Sequence, residues 1–244
     1  MDPVLLAAVA VVGTVSGATA AVVGFGIGSL LTPLLAASLG TDAAIAAVAL
    51  PHLLATALRL WRHRAHVDRD VLATFGWPSA VGGVAGAIAY ARLGDRGLGV
   101  VLGLLLLATA AMNALPALRR WRPGRGAARL LGLASGLFGG IAGNQGGLRA
   151  AALLPFDLAP RAFLATGTAI ALVIDLARTP LYLARAGTAL LPHAPAIAVA
   201  VVACVAGTLL GERWLLALPV ERFRRVVALV VALAGLVVLV RVLV

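Results

Sequence analysis

The chain has 244 residues, of which 62% are hydrophobic and 12% charged, with a mean hydropathy of +1.05. A soluble domain carries about 25% charged and 45–50% apolar residues, so a water-soluble globule, a disordered chain and a fibre are excluded and a polytopic membrane protein remains. The net charge of +11 comes from 20 basic residues, all arginine, against nine carboxylates. Arginines set between apolar runs speak first of membrane orientation.

A membrane span needs about 20 mostly apolar residues. In chain order, spans are predicted over 4–23, 43–60, 71–91, 98–118, 162–183, 194–210 and 226–244. Ala18-Thr19-Ala20 has the small-residue look of a signal-peptidase site, but no positive stretch precedes it, so the first span is read as mature protein. Two pieces are too short to span. Residues 29–39 follow the break Gly24-Phe25-Gly26-Ile27-Gly28, and 130–141 and 148–156 flank a second break, Gly143-Asn144-Gln145-Gly146-Gly147. Twelve helical residues cover roughly 18 Å of a roughly 30 Å hydrocarbon core. The lone cysteine, Cys204, lies in an apolar run and is read as a small packing residue.

The two breaks are related by an internal repeat. At an offset of 119, Gly13 and Gly17 fall on Gly132 and Gly136, Gly24 on Gly143, Gly28 on Gly147 and Arg59 on Arg178. Farther on, Val84-Ala85-Gly86 matches Val205-Ala206-Gly207 at an offset of 121. The chain therefore divides into a first repeat over 1–118, a basic linker over 119–129 and a second repeat over 130–244.

The arginines select a topology. Four full spans per half would divide the extramembrane arginines ten to seven between the two sides. A re-entrant hairpin followed by three spans places thirteen on one side and leaves only Arg92, Arg96, Arg185 and Arg241 on the other. The second division follows the positive-inside rule. The expected fold is an all-α polytopic membrane protein of about eight hydrophobic segments. It comprises two inverted repeats, each a glycine-broken re-entrant hairpin plus three transmembrane helices. The 119–129 linker is then cytoplasmic and both termini are not. The arginine-for-lysine and Ala/Gly bias is that of a high-GC bacterial genome, which points to a bacterial inner membrane.

Irregular backbone at membrane depth survives only where it is buried in protein or lines a wet cavity. Glycine-broken half-helices at matching positions of two repeats point to a transporter site, because the free N–H groups of a half-helix N-terminus attract anions. Ser29 and Leu148 are expected to begin these half-helices, with Gly24, Gly26, Gly28, Gly143, Gly146 and Gly147 letting a substrate reach the backbone. Close helix packing is the alternative role of those glycines. Asn144 and Gln145 either satisfy backbone groups freed by the break or bind substrate. Arg149, two residues into the second half-helix, either faces a cavity or pairs with Asp175. Asp175 and Arg178, three apart on one helix, form a salt bridge or act separately, Asp175 as a protonatable group and Arg178 on the substrate. Arg59 is read as snorkelling to the interface. His52 follows the kinking Pro51 and either bonds a freed carbonyl or relays protons. Thr56, Thr166 and Thr168 are read as bonded to carbonyls four residues back.

There is no Walker loop, and Gly24-x-Gly26-x-Gly28 has no strand context, so it is not a dinucleotide fingerprint. No metal-spaced cluster occurs, so no cofactor or metal is expected. An enzyme is not expected either, since Asp175 and His52 are the only acid–base pair in sight. The basic linker faces anionic lipid headgroups rather than nucleic acid. A homo-oligomer stays open.

Gly24-Phe-Gly-Ile-Gly-Ser-Leu-Leu-Thr-Pro-Leu-Leu35 resembles the first signature of the TauE/SafE sulfite exporter family, also called the toluene sulfonate uptake permease family. Gly139-Gly-Ile-Ala-Gly-Asn-Gln-Gly-Gly-Leu-Arg149 resembles the second, and the similarity runs over nearly the whole chain. Ile27 interrupts the Gly-Gly-Gly run that family members often carry in the first break. The resemblance implies a secondary transporter of small sulfur-containing anions such as sulfite, thiosulfate or organosulfonates, with Asp175 or His52 coupling a proton. A passive anion channel and a non-transporting membrane component are the alternatives.

Overall fold

The computed structural model describes residues 2–114, 124–144, 146–153, 156–214 and 220–243. All regular structure among them is helical. The helices are α1 (Pro3–Val23), α2 (Ile27–Leu39), α3 (Thr41–His63), α4 (Arg69–Arg92), α5 (Asp95–Ala114), α6 (Arg125–Ala142), α7 (Gly146–Leu153), α8 (Pro160–Ala186), α9 (Ala194–Trp214) and α10 (Val220–Leu243). A π-helical turn, Leu72–Gly76, lies inside α4, and a 3₁₀ segment, Gly187–His193, joins α8 to α9. Six helical stretches are long and apolar enough to cross a membrane, while Ile27–Leu39 and Gly126–Ala142 are shorter apolar helices.

The element boundaries follow from capping chemistry. Asp2 accepts the Val4 N–H at 2.8 Å and Pro3 opens α1, an arrangement that suits Pro at the first helical position. α1 ends at Gly24, which sits at φ 82° and donates its N–H to the Ala20 carbonyl. α6 ends the same way, with Gly143 at φ 70° donating to the Gly139 carbonyl. A side chain with a Cβ rarely adopts that left-handed conformation, so each break depends on glycine.

Three boundaries differ from the sequence reading. α2 begins at Ile27 and α7 at Gly146, so Ser29 and Leu148 lie inside the first turn rather than at its start. The reason is that the left-handed Gly24 and Gly143 turn the chain early and allow the next helix to nucleate within three residues. α6 extends back to Arg125 from an N-cap at Gly124, so residues 125–129 are helical rather than linker. Residues 119–123 of the linker, Trp121 among them, and 115–118 before it lie outside the described residues.

The helices pack in reciprocal pairs. α1 runs along α9, and α4 runs along α6; under exchange of the two halves these are one interface. α5 lies along α10, α2 touches α10 as α7 touches α5, and α3 crosses α8 at the centre. Small residues allow the close approaches. A Cβ on Gly17 would run into the Cys204 carbonyl of α9, and one on the corresponding Gly136 would run into the Ser79 carbonyl of α4. Gly207 lies against Thr14, as Gly86 lies against Leu137. Backbones this near gain dispersion contacts that lipid does not supply. Cys204 is fully buried in that seam. The outer faces carry exposed aliphatics such as Val11, Leu104, Leu229 and Leu236, with Trp61 exposed near the end of α3 and Trp77 just after the π-helical turn of α4.

Candidate functional site

The two breaks meet. A Cβ on Gly28 would stand 2.6 Å from the Gly143 carbonyl oxygen, and one on Gly146 would overlap Phe25. Gly26 caps α2 at φ 145° beside Thr19. Ser29, in the first turn of α2, donates its hydroxyl to Asn144 Oδ1 at 2.9 Å, and both residues are buried. One hydrogen bond therefore ties the start of the first half-helix to the tip of the second break. Gly147 lies in the first turn of α7. Gln145 lies outside the described residues.

Beneath the breaks, α3 and α8 cross through a buried polar cluster. Asp175 is fully buried, and its two oxygens take different partners. Oδ1 receives Arg178 Nε at 3.0 Å and Nη2 at 2.8 Å, while Oδ2 lies 2.6 Å from His52 Nδ1. His52 thus pairs with a carboxylate from the other half rather than with a carbonyl freed by Pro51. The Asp175 carboxylate is a stronger acceptor than an amide oxygen, which decides the competition.

Arg178 and Arg59 do matching work. Arg178 Nη1 donates to the Gly139 carbonyl at 2.8 Å, and Arg59 Nη1 donates to the Ala20 carbonyl at 2.5 Å. Those carbonyls are repeat equivalents in the last turn of a broken helix, and each already accepts the capping glycine's N–H, so the guanidinium takes its second lone pair. A guanidinium there also meets the negative end of the helix dipole. Arg59 is only 2% exposed. It does not snorkel, because a carbonyl-rich helix end lies nearer than the interface. Its i−3 neighbour is the neutral Thr56, which receives Nη2 at 3.4 Å, where Arg178 has Asp175. Tyr182 completes the second half by donating its hydroxyl to the Gly140 carbonyl.

A cavity of about 600 Å³ opens beside the first break. Gly24, Gly146 and Arg149 lie at its inner end, and His63, His66, Arg161 and Glu212 stand at helix ends around its mouth. Ala21, Val23, Leu153, Phe163 and Leu164 make its walls apolar. Arg149 is 5% exposed and donates Nη2 to the Gly24 carbonyl at 2.9 Å. Of the two alternatives read from the sequence, it lines the cavity and bonds that carbonyl, with no hydrogen bond to Asp175. Its Nη1 is buried without a hydrogen-bond partner, as are Arg59 Nε and Asn144 Nδ2. An unpaired cationic donor buried beside a cavity favours an anion in that cavity.

The threonines divide. Thr168 lines the cavity and bonds back to the Leu164 carbonyl at 2.7 Å, whereas Thr166 accepts the Asp68 N–H at 2.9 Å. The mouth was not foreseen from the sequence. Glu212 receives Arg62 Nε at 2.7 Å and lies 3.2 Å from His63 Nε2, joining α3 to α9. Charged residues at helix ends carry no sequence signal that separates a cavity rim from an ordinary interface.

A model of the family described as Sulfite exporter TauE/SafE matches residues 9–238. No curated protein and no solved structure matches the chain.

Proposed function

The chain belongs to the sulfite exporter TauE/SafE family, and from that premise we propose that it is a secondary transporter of small sulfur-containing anions such as sulfite, thiosulfate or organosulfonates, coupled to protons. The family and the apolar helices make it a multi-pass membrane transport protein. The observation that carries the anion site is the buried, unpartnered Nη1 of Arg149 at the inner end of the cavity. The N-terminus of α7 begins at the same place, and a half-helix end turns free N–H groups and partial positive charge toward a ligand. Gly24 and Gly146 line the cavity there, and Asn144 Nδ2, buried without a partner among the described residues, adds a donor beside the breaks.

The coupling reading rests on His52 and Asp175, which share one short contact across the central helix crossing. A carboxylate and an imidazole in contact can hold a proton between them and pass it on. Arg178 holds the other carboxylate oxygen and links that proton to the end of α6. Reciprocal helix pairing supports two repeats that rock against one another around the meeting point of the breaks. The cavity mouth lies among the arginine-rich helix ends, so this conformation is read as open to the cytoplasm of a bacterial inner membrane, with both termini outside.

Uptake into proteoliposomes tests the whole reading. Sulfite, thiosulfate, sulfoacetate and an unrelated carboxylate are compared with and without a pH gradient. We expect sulfur-anion uptake that the gradient stimulates, and loss of the stimulation in His52→Gln. Carboxylate uptake without sulfur-anion uptake overturns the substrate assignment. Flux that ignores the proton gradient overturns the coupling and leaves a channel.

A further inference from the structure

Four formally charged side chains are buried among the described residues: Arg59, Arg149, Arg178 and Asp175. The other described carboxylates are half-buried or exposed at helix ends and connections. Asp175 neutralises Arg178, with which it makes two contacts. Among the described residues, no carboxylate makes a hydrogen bond or ion pair with Arg59 or Arg149. Both grip the same end of α1, through the Ala20 and Gly24 carbonyls one turn apart. A helix C-terminus supplies only about half a negative charge. Two guanidiniums therefore share that half charge, and each keeps one buried nitrogen without a partner, Arg59 Nε and Arg149 Nη1. Glu212 at the mouth is already held by Arg62 and His63.

Uncompensated charge in a low-dielectric site is costly, and the site lowers that cost by drawing in a counter-ion of matching charge. Resting on the reading of the cavity as the substrate site, we infer that it is built for a divalent anion, which balances Arg59 and Arg149 together. A monovalent anion of the same shape leaves one guanidinium unmatched. Arg149 touches the anion from the cavity; Arg59, outside the lining, acts as a positioning residue through the field at the end of α1.

Thiosulfate and methanesulfonate form the discriminating pair. Both are tetrahedral –SO₃ species, with a terminal sulfur in one and a methyl in the other, and they carry two charges and one. Binding of each to the purified full chain in detergent is measured by calorimetry, at an ionic strength held constant with chloride. Thiosulfate is expected to bind at least about tenfold more tightly, since each added unit charge meets two poorly screened cations. Arg149→Gln and Arg59→Gln should each shrink that ratio, weakening thiosulfate more than methanesulfonate. The wild-type ratio alone decides the matter should either variant fail to fold. Equal affinities, or tighter methanesulfonate, overturn the divalent inference and leave the sulfur-anion reading standing. Binding of neither anion overturns both.

Discussion

At the scale of single residues, one carboxylate organises the centre of the molecule. Asp175, itself fully buried, receives Arg178 and His52 on separate oxygens. Removing one partner of a buried pair costs more than the pair contributes, because the remaining charge is left without compensation. Asp175→Asn keeps the volume and removes the charge, so Arg178 becomes a third unmatched buried cation. We expect a loss of about 3–5 kcal/mol, read as a fall in the thermal unfolding midpoint of the detergent-purified chain. The double variant Asp175→Asn, Arg178→Gln should recover a large part of that loss. An unchanged midpoint in the single variant would show that the carboxylate is not ionised in the folded chain. Arg59 stands as the internal comparison. It occupies the same place in the first repeat with only Thr56 beside it, and the carbonyl at the end of α1 holds it in place of a carboxylate.

At the scale of elements, the helix pairs depend on backbone approach rather than on side-chain interdigitation. Gly17 on α1 and Gly136 on α6 are repeat mates, and each faces a carbonyl of its partner helix. Gly17→Leu and Gly136→Leu should therefore destabilise by similar amounts, at least about 1–3 kcal/mol each, because backbone cannot move aside as a side chain can. Gly94, with nothing within 4 Å of an added Cβ, is the control at which Gly94→Leu should leave the unfolding midpoint unchanged. Much of this level is legible in the sequence. Apolar length located the spans to within a few residues, as with 43–60 inside Thr41–His63, and the 119- and 121-residue offsets placed the glycines of both seams in register. The contacts that build the site are another matter. His52 and Asp175 are 123 positions apart, and Ser29 and Asn144 are 115 apart. No local pattern encodes which of two buried acceptors a guanidinium will choose. The sequence shows that Arg149 is out of place in an apolar run. That it grips Gly24 follows only once Asp175 is seen to be saturated.

For the molecule as a whole, the charged part of the cavity lining lies at one set of helix ends. His63, His66, Arg161 and Glu212 stand there, whereas Arg92 and Arg96 lie at the opposite ends of α4 and α5. From the excess of arginine on the cavity side we predict that this side is cytoplasmic under the positive-inside rule. The prediction is read by thiol labelling in a Cys204→Ala background, since Cys204 is buried between α1 and α9. His66→Cys should react with a membrane-impermeant reagent only in inside-out vesicles, and Arg96→Cys only in intact cells. Ala150→Cys, deep in the cavity beside Arg149, should follow His66→Cys, and thiosulfate should slow its reaction. Reaction of Ala150→Cys from the Arg96 side would mean that the resting protein opens the other way. Protection at Ala150→Cys without protection at His66→Cys would place the anion at the inner end, beneath the breaks. That is where the Ser29–Asn144 bond joins the two halves.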